Sequence, residues 1–303
     1  MIAILSAPSN LGLRPPQPSS VPGCAKAPEA LRAAGLYKRM GTLGAIDAGL
    51  VLPGRYVDDP DPGHQHLRNH DAIVDHAKRL AARLTSLLDA GHSPLVLGGD
   101  CSLVVGVGLA LSRRGRHGLA HLDGHTDFRH PSNSTQCTSL AGEDLAAAIG
   151  LHWDTVANID GFGPYFDARR VVHAGCRNDD EHLTEVRSLI AKTLTSSELR
   201  SDISEASRGL ANILEASSAD GYWLHVDVDI LDPGFLSAVD SPIPDGLTPN
   251  ELRTLLATLA PGALGAHVTV FDPDLDPSGA YADLLTDVLI GGLTELGGDI
   301  NPR

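Results

Sequence analysis

The sequence predicts an α/β fold, a three-layer α/β/α sandwich with a mainly parallel sheet. Short apolar runs alternate with helix-patterned segments along the chain, the rhythm of repeated β-α-β units. Runs such as Pro94-Leu-Val-Leu and Gly118-Leu119-Ala120 are continuously apolar, as strands covered on both faces are. Acidic clusters stand where these runs end, and the carboxyl ends of strands are where open α/β sheets bind ligands. The 303 residues would make one large domain or two small ones. No linker or internal repeat divides them, so a single domain over residues 1–303 is expected.

Ile2 to Leu5 reads as the first strand, ended by Ala7-Pro8, and Leu11 to Gly23 as a Gly/Pro/Ser loop. Ala27 to Ala34 has Pro28 at a first helical turn and reads as a short helix. A Pro/Asp loop over Asp58 to Gln65 precedes a long helix. In that helix Ile73, His76, Ala77, Leu80, Leu84 and Leu87 recur at three and four, and Gly91 closes it. The strand from Pro94 enters Gly98-Gly99-Asp100-Cys101-Ser102, and a helix follows through Leu109. Gly118 to Leu122 is a strand, Leu140 to Ile149 an Ala-rich helix and Arg170 to Ala174 a strand. Glu181 to Ile190 and Ser204 to Ala216 read as helices, and Tyr222 to Asp229 as a strand. Thr248 to Leu259 opens with a capping box, Thr248 with Glu251. Gly265 to Phe271 is the last strand and Tyr281 to Leu296 the closing helix.

Hydrophobic content of 42% and charged content of 20% are those of a globular chain. A net charge of −15 argues against nucleic acid or an anionic membrane as partner. No run approaches a membrane span, and the start has no basic region before a long apolar one. Cys24, Cys101, Cys137 and Cys176 are scattered without a CxxC, which reads as reduced thiols in a cytoplasmic protein.

The chemistry concentrates at three strand ends. In Asp123-Gly124-His125-Thr126-Asp127 three potential ligands alternate at spacing two, so on an extended strand they share one face. This is either an edge strand with solvated polar groups or a buried strand ending in a polar pocket, and the apolar run entering it favours the pocket. Asp100-Cys101 and Asp227/Asp229 end two other strands. Five carboxylates in one crevice repel unless cations neutralise them. One divalent ion rarely needs five carboxylates, a His and a Cys; two ions sharing carboxylates do.

These segments resemble the signatures of the arginase/agmatinase (ureohydrolase) family of binuclear manganese hydrolases. The family's Gly-Gly-Asp-His-Ser stands here as Gly98-Gly99-Asp100-Cys101-Ser102, and its Asp-Ala-His-x-Asp as Asp123 to Asp127. Its Ser-x-Asp-x-Asp-x-x-Asp-Pro stands as His225 to Pro233. Ala7-Pro8, Gly23 to Leu36 and Asp240-Ser241-Pro242 to Gly246-Leu247 also resemble family landmarks. The resemblance implies an arginase-type fold and one metal held by Cys101, Asp123, Asp127 and Asp227. It implies a second held by His125, Asp123, Asp227 and Asp229, the ions being Mn²⁺ in most of the family. It further implies attack of a metal-bridging hydroxide on a guanidinium carbon, with release of urea, and Asp127 as acceptor of the hydroxide's proton. Family members are commonly trimers or hexamers.

Three positions depart from the pattern. Cys101 replaces a His ligand, and a thiolate shifts metal preference toward Zn²⁺, Fe²⁺ or Ni²⁺; a buried core thiol is the other reading. Ala141 stands where arginases carry a proton-shuttling His, leaving His130 as substitute shuttle or as a solvated loop residue. Val270 stands where a Glu clamps the guanidinium, and Asp272, Asp274 and Asp276 follow either as a new clamp or as an acidic turn. Arg129 sits where arginases place a group that binds the substrate's carboxylate, and Asp180 corresponds roughly to the carboxylate that contacts its α-amino group; surface-loop charges are the other reading of both.

The expected function is hydrolysis of a linear amidine C–N bond in a guanidino or hydroxyguanidino compound. Loss of the shuttle matters less for the less basic hydroxyguanidine. A degenerate relative that binds metal or ligand without turnover is the alternative. A histone-deacetylase-like amidohydrolase fits the third motif and the double Asp bridge less well.

Overall fold

The parallel sheet is present with eight strands in a computed structural model that describes residues 1–59, 61–63, 65–218 and 220–300. The strands are β1 (Ile2–Ala7), β2 (Ile46–Leu50), β3 (Ser93–Gly98), β4 (Gly118–Leu122), β5 (Val171–Ala174), β6 (Lys192–Leu194), β7 (Tyr222–Asp227) and β8 (Ala263–Thr269). Their order is β2-β1-β3-β8-β7-β4-β5-β6. Every pairing is parallel.

Alternation along the strands divides the interior into two apolar layers. Ile2 and Ile4 of β1 pack on one side with residues of the helices Ala27–Ala33, Pro249–Leu259 and Ala280–Leu293. Ala3 and Leu5 face the opposite side, with the helices His70–Asp89, Leu103–Ser112 and Asp144–Ala148. The helix His70–Asp89 buries the expected stripe from Ile73 to Leu87. The Thr248–Glu251 capping box forms in both directions. Among the described residues no helix is long and apolar enough to cross a membrane.

Some elements differ from the sequence reading, for local reasons. The helix expected over 140–149 breaks into a short turn, Leu140–Gly142, and Asp144–Ala148. Glu143 between them has φ −143°, and its carboxylate accepts the Thr138 and Ser139 amides. The strand from Tyr222 stops at Asp227, whose side chain accepts the Asp229 amide and turns the chain. β8 stops at Thr269 because Val270 adopts φ 74°. Two edge strands, β2 and β6, and the helices Leu36–Thr42 and Ser196–Ser201 were not expected. Pro60 and His64, within the loop read over 58–65, lie outside the described residues.

The sheet order sets β3, β8, β7 and β4 side by side, so four strand ends adjoin although their segments are far apart in sequence. The turn after β3 requires a residue without a side chain at 99. A Cβ there would overlap the backbone of Ser9, and backbone cannot move aside as a side-chain tip does. Gly99→Ala is expected to cost about 1–3 kcal/mol, the usual range for overpacking. Urea unfolding checks this, and an unchanged midpoint would mean the loops at 9 and 99 are not tightly apposed.

Candidate metal centre

Each strand end turns sharply and uses side chains to do it. After β3, Asp100 accepts the Ser9 hydroxyl at 2.7 Å and the Ser102 amide at 2.9 Å. This turn carries the buried Cys101, whose thiol donates to Asp227 Oδ2 at 2.8 Å. After β4, Asp123 Oδ1 accepts the His125 amide at 2.6 Å. Asp127 is held in the left-handed region at φ 45°. After β7, Asp227 Oδ1 accepts the Asp229 amide at 2.8 Å, and Asp229 Oδ1 accepts the Gly124 amide at 2.9 Å. His125 Nδ1 lies 2.8 Å from Asp229 Oδ2.

These contacts draw the six sequence-derived ligands together. Donor atoms of Cys101, Asp123 and Asp227 lie within 4.8 Å of one another, as do those of Asp123, His125 and Asp127. Asp123 belongs to both groups, as a bridging carboxylate must.

The electrostatics are those of a site short of positive charge. Burial, then the neighbouring carboxylates, hold Asp123, Asp127 and Asp227 well above the ordinary Asp range. Burial also works against a charged His125, but Asp229 outweighs it and pushes the imidazole up to about 10. That pairing holds Asp229 below its ordinary value against its own burial. Burial, then Asp227, raises the Cys101 thiol. Asp123 Oδ2 is buried with no hydrogen-bond partner. A mixed carboxylate, imidazole and thiol donor set with an orphaned buried oxygen fits divalent cations.

The ligands floor a cavity of about 580 Å³, with Cys101, His125, Asp127, Asp227 and Asp229 on its surface. Arg129, Ala141, Asp240 and Val270 form part of its walls. The Arg129 guanidinium leans over Gly142, where a Cβ would collide with Nη2. An adjoining cavity of about 290 Å³ shares His125, Asp127 and Arg129 and includes Asp180. Asp180 already accepts the Thr126 amide and hydroxyl and the His182 amide.

Two sequence-derived assignments are corrected. His130 is buried away from both cavities, with Nε2 3.1 Å from Glu185 and Nδ1 accepting the Ser132 amide at 3.3 Å. Both nitrogens are engaged, so it is not placed to move protons to the site. Asp272 lines the main cavity, but its two oxygens accept the amides of Gly23 and Asp274. Asp274 pairs with Lys26, and Asp276 accepts the Ala282 amide. The aspartate run is therefore an acidic turn rather than a guanidinium clamp.

Outside the ligand cluster and the Lys26–Asp274 pair, a carboxylate that opens onto the cavity without a tie to backbone amides of other residues is Asp240, whose side chain accepts the Ser241 hydroxyl at 3.1 Å. Water reaches it, yet protein surrounds it on most sides, and burial followed by Asp229 raises it to about 6. In sequence its one signal was an acidic residue inside the stretch 240–247.

The arginase family model matches residues 1–291. The arginase of Bacillus caldovelox is 28% identical over 305 residues, covering 96% of this chain and 97% of its own length. The arginase of Agrobacterium fabrum is 29% identical, covering 94% of this chain and 88% of its own. The solved B. caldovelox arginase, a native structure at pH 5.6, superposes with a TM-score of 0.86 over 98% of both chains at 27% identity.

Metal removal should expose the charge shortage. At this cluster the metal-free folded state binds more protons than the unfolded chain, through three carboxylates raised above about 3.8 and through His125, raised from 6.5 to about 10. The cluster's contribution to the stability of the metal-free protein therefore falls as pH rises from about 5 to 8. Asp229, depressed, contributes its share throughout that window. Bound cations displace those protons, so the gap in Tm between metal-saturated and EDTA-treated protein is expected to widen with pH. A gap independent of pH would mean the cluster does not hold the cations.

Proposed function

The chain belongs to the arginase family, and from that premise we propose that it hydrolyses a linear amidine C–N bond of a guanidino or hydroxyguanidino compound. Urea or a urea derivative and an amine are the products. The observation that carries this is the meeting of three separate strand ends, with all six ligand residues, beneath one cavity. Cys101, Asp123, Asp127 and Asp227 would hold one divalent ion, and His125, Asp123, Asp227 and Asp229 the other. Mn²⁺ is the family's usual metal, and Cys101 suits Zn²⁺, Fe²⁺ or Ni²⁺ as well. When bound, the ions supply Lewis acidity, activating a water and polarising the amidine carbon.

The chain's own groups bind, orient and hold protons. Asp127 accepts the proton of the attacking water at a carboxylate oxygen on the cavity floor. Asp240 takes the place of the lost clamp and binds the cationic amidine. Arg129 binds a substrate carboxylate, and Asp180 offers its remaining acceptor capacity to an amino group. With Ala141 where a shuttle would stand and His130 turned away, a less basic hydroxyguanidine suits the site better than a free guanidine. We place the protein in the cytoplasm as a single domain, a trimer or hexamer by family habit.

The test is a urea-release screen over guanidino and Nω-hydroxyguanidino compounds with Mn²⁺, Zn²⁺ and Ni²⁺, beside a Cys101→His variant. Metal content is measured on the same samples. Turnover of at least one carboxylate-bearing compound is expected, the hydroxy form preferred. A protein holding two ions per chain that releases no urea from any compound would favour a binding-only relative.

Asp240→Asn has its own expected outcome. Removing a charge-assisted contact costs about 1.5–3 kcal/mol, so KM should rise about tenfold or more. An unchanged KM would remove Asp240 from the substrate site.

A further inference from the structure

Beneath the ligands runs a row of four histidines in cross-strand register, His173 in β5, His121 in β4, His225 in β7 and His267 in β8. All four are fully buried. On β4 and β7 they stand two residues before Asp123 and Asp227, hence on the same face of the sheet.

Their protons can be placed from the donors alone. The indole N–H of Trp223 can only donate, and it meets His267 Nδ1 at 2.8 Å. His267 Nδ1 must therefore accept, which leaves its proton on Nε2 and excludes an imidazolium. That Nε2–H lies 2.6 Å from His225 Nδ1 and donates to it. His225 in turn carries its proton on Nε2, 3.5 Å from Asp123 Oδ2. Both of these last atoms are buried and neither makes a hydrogen bond, so the N–H stands beside the carboxylate without closing a bond to it.

A neighbouring pair steadies the arrangement. The His121 ring stacks on His225 at 4.3 Å with planes 4° apart. His121 Nε2 lies 3.1 Å from Asp144 Oδ1, and its Nδ1 2.9 Å from His173 Nδ1. Two metal readings of these residues fail on chemistry. Donor atoms of Cys101, Asp123, His225 and Asp227 are close enough for one ion, but a protonated Nε2 has no lone pair to give. His121, Asp144 and His225 also cluster, but an ion cannot lie in the planes of two stacked rings at once.

We propose that Trp223, His267 and His225 form a hydrogen-bond relay that fixes the His225 tautomer, keeps its Nε2–H beside Asp123 and so positions the carboxylate shared by both metals. These are positioning residues. The chain has lost one imidazole ligand at Cys101, and the relay supplies another at one remove, as a donor behind a ligand. The inference rests on the metal reading of Asp123 but on no particular substrate.

The test begins with the full-length, metal-free protein labelled with ¹⁵N at histidine. Long-range ¹H–¹⁵N spectra are expected to show His267 and His225 as neutral Nε2–H tautomers. An Nδ1–H tautomer or a doubly protonated ring at His225 would overturn the relay. Trp223→Phe keeps an aromatic ring and removes the N–H; the two tautomers of His225 should then mix, and the Mn²⁺ dissociation constant should rise about tenfold, the lower end for such supporting groups. An unchanged constant would end the positioning role. A purely structural role would lower Tm equally in His267→Gln and His267→Leu. The relay instead expects metal affinity to be kept by His267→Gln, whose amide sets an acceptor beside a donor, and lost by His267→Leu; equal affinities would sink it. Tautomers and metal titration are read without turnover, so an inactive enzyme would leave this result standing.

Discussion

Buried negative charge at the ends of β4 and β7 is the constraint on which the rest of the structure depends. Asp123 is fully buried, Asp227 and Asp229 nearly so, and Asp127 is enclosed beside them. Isolated carboxylates in such a place are costly, and the fold offsets that cost only in part. The amides of Gly124, His125 and Asp229 each donate to one carboxylate, His125 pairs with Asp229, and the Cys101 thiol gives a hydrogen bond to Asp227. What remains is Asp123 Oδ2, without a partner, and three carboxyls whose ionised form burial and their neighbours disfavour. Cations resolve both at once, which is why the turns, the glycines and the sheet order make sense together around them.

The sheet and its site were legible in sequence where the signal is local. β4 begins and ends as read, because an apolar run meets a ligand motif there. The capping box at Thr248 and the stripe of the helix His70–Asp89 were equally plain. β2 and β6 were missed because short, half-polar edge strands carry no such pattern: Ile46, Asp47, Gly49 and Leu50 are all exposed. The break at Glu143 was hidden because its cause is a side chain reaching back to Thr138 and Ser139.

The site divides in the same way. The resemblance implied the six ligand residues, and the structure brings them together in the turns at three strand ends. The clamp at Asp272 failed because Asp-Pro-Asp reads the same whether its carboxylate faces a substrate or closes a turn. Only the apposition of Gly23, some 249 residues away, shows that Asp272 Oδ2 is tied to the backbone. The histidine row was beyond reach for a similar reason. Each strand shows one ordinary buried His, and only the pairing of β5, β4, β7 and β8 sets the four in line.

The departures from the family pattern are not scattered. Cys101, Ala141 and Val270 all border the same cavity, which also holds Arg129 and Asp240. A site decaying after loss of function would have no reason to keep its buried carboxylates, since each is a liability without metal. Here they stay, and the three departures fall on the wall of the cavity above them. Val270 even retains a backbone at φ 74°, a strained conformation for a β-branched residue that persists only where surroundings hold it. Its amide gives a 2.6 Å hydrogen bond to the Gly99 carbonyl, tying that wall to the turn that carries Cys101. The two altered positions therefore lie on backbone segments joined by a hydrogen bond. A thiol in place of an imidazole, the clamp proposed at Asp240 and the relay proposed beneath Asp123 would together make a re-tuned centre rather than an emptied one.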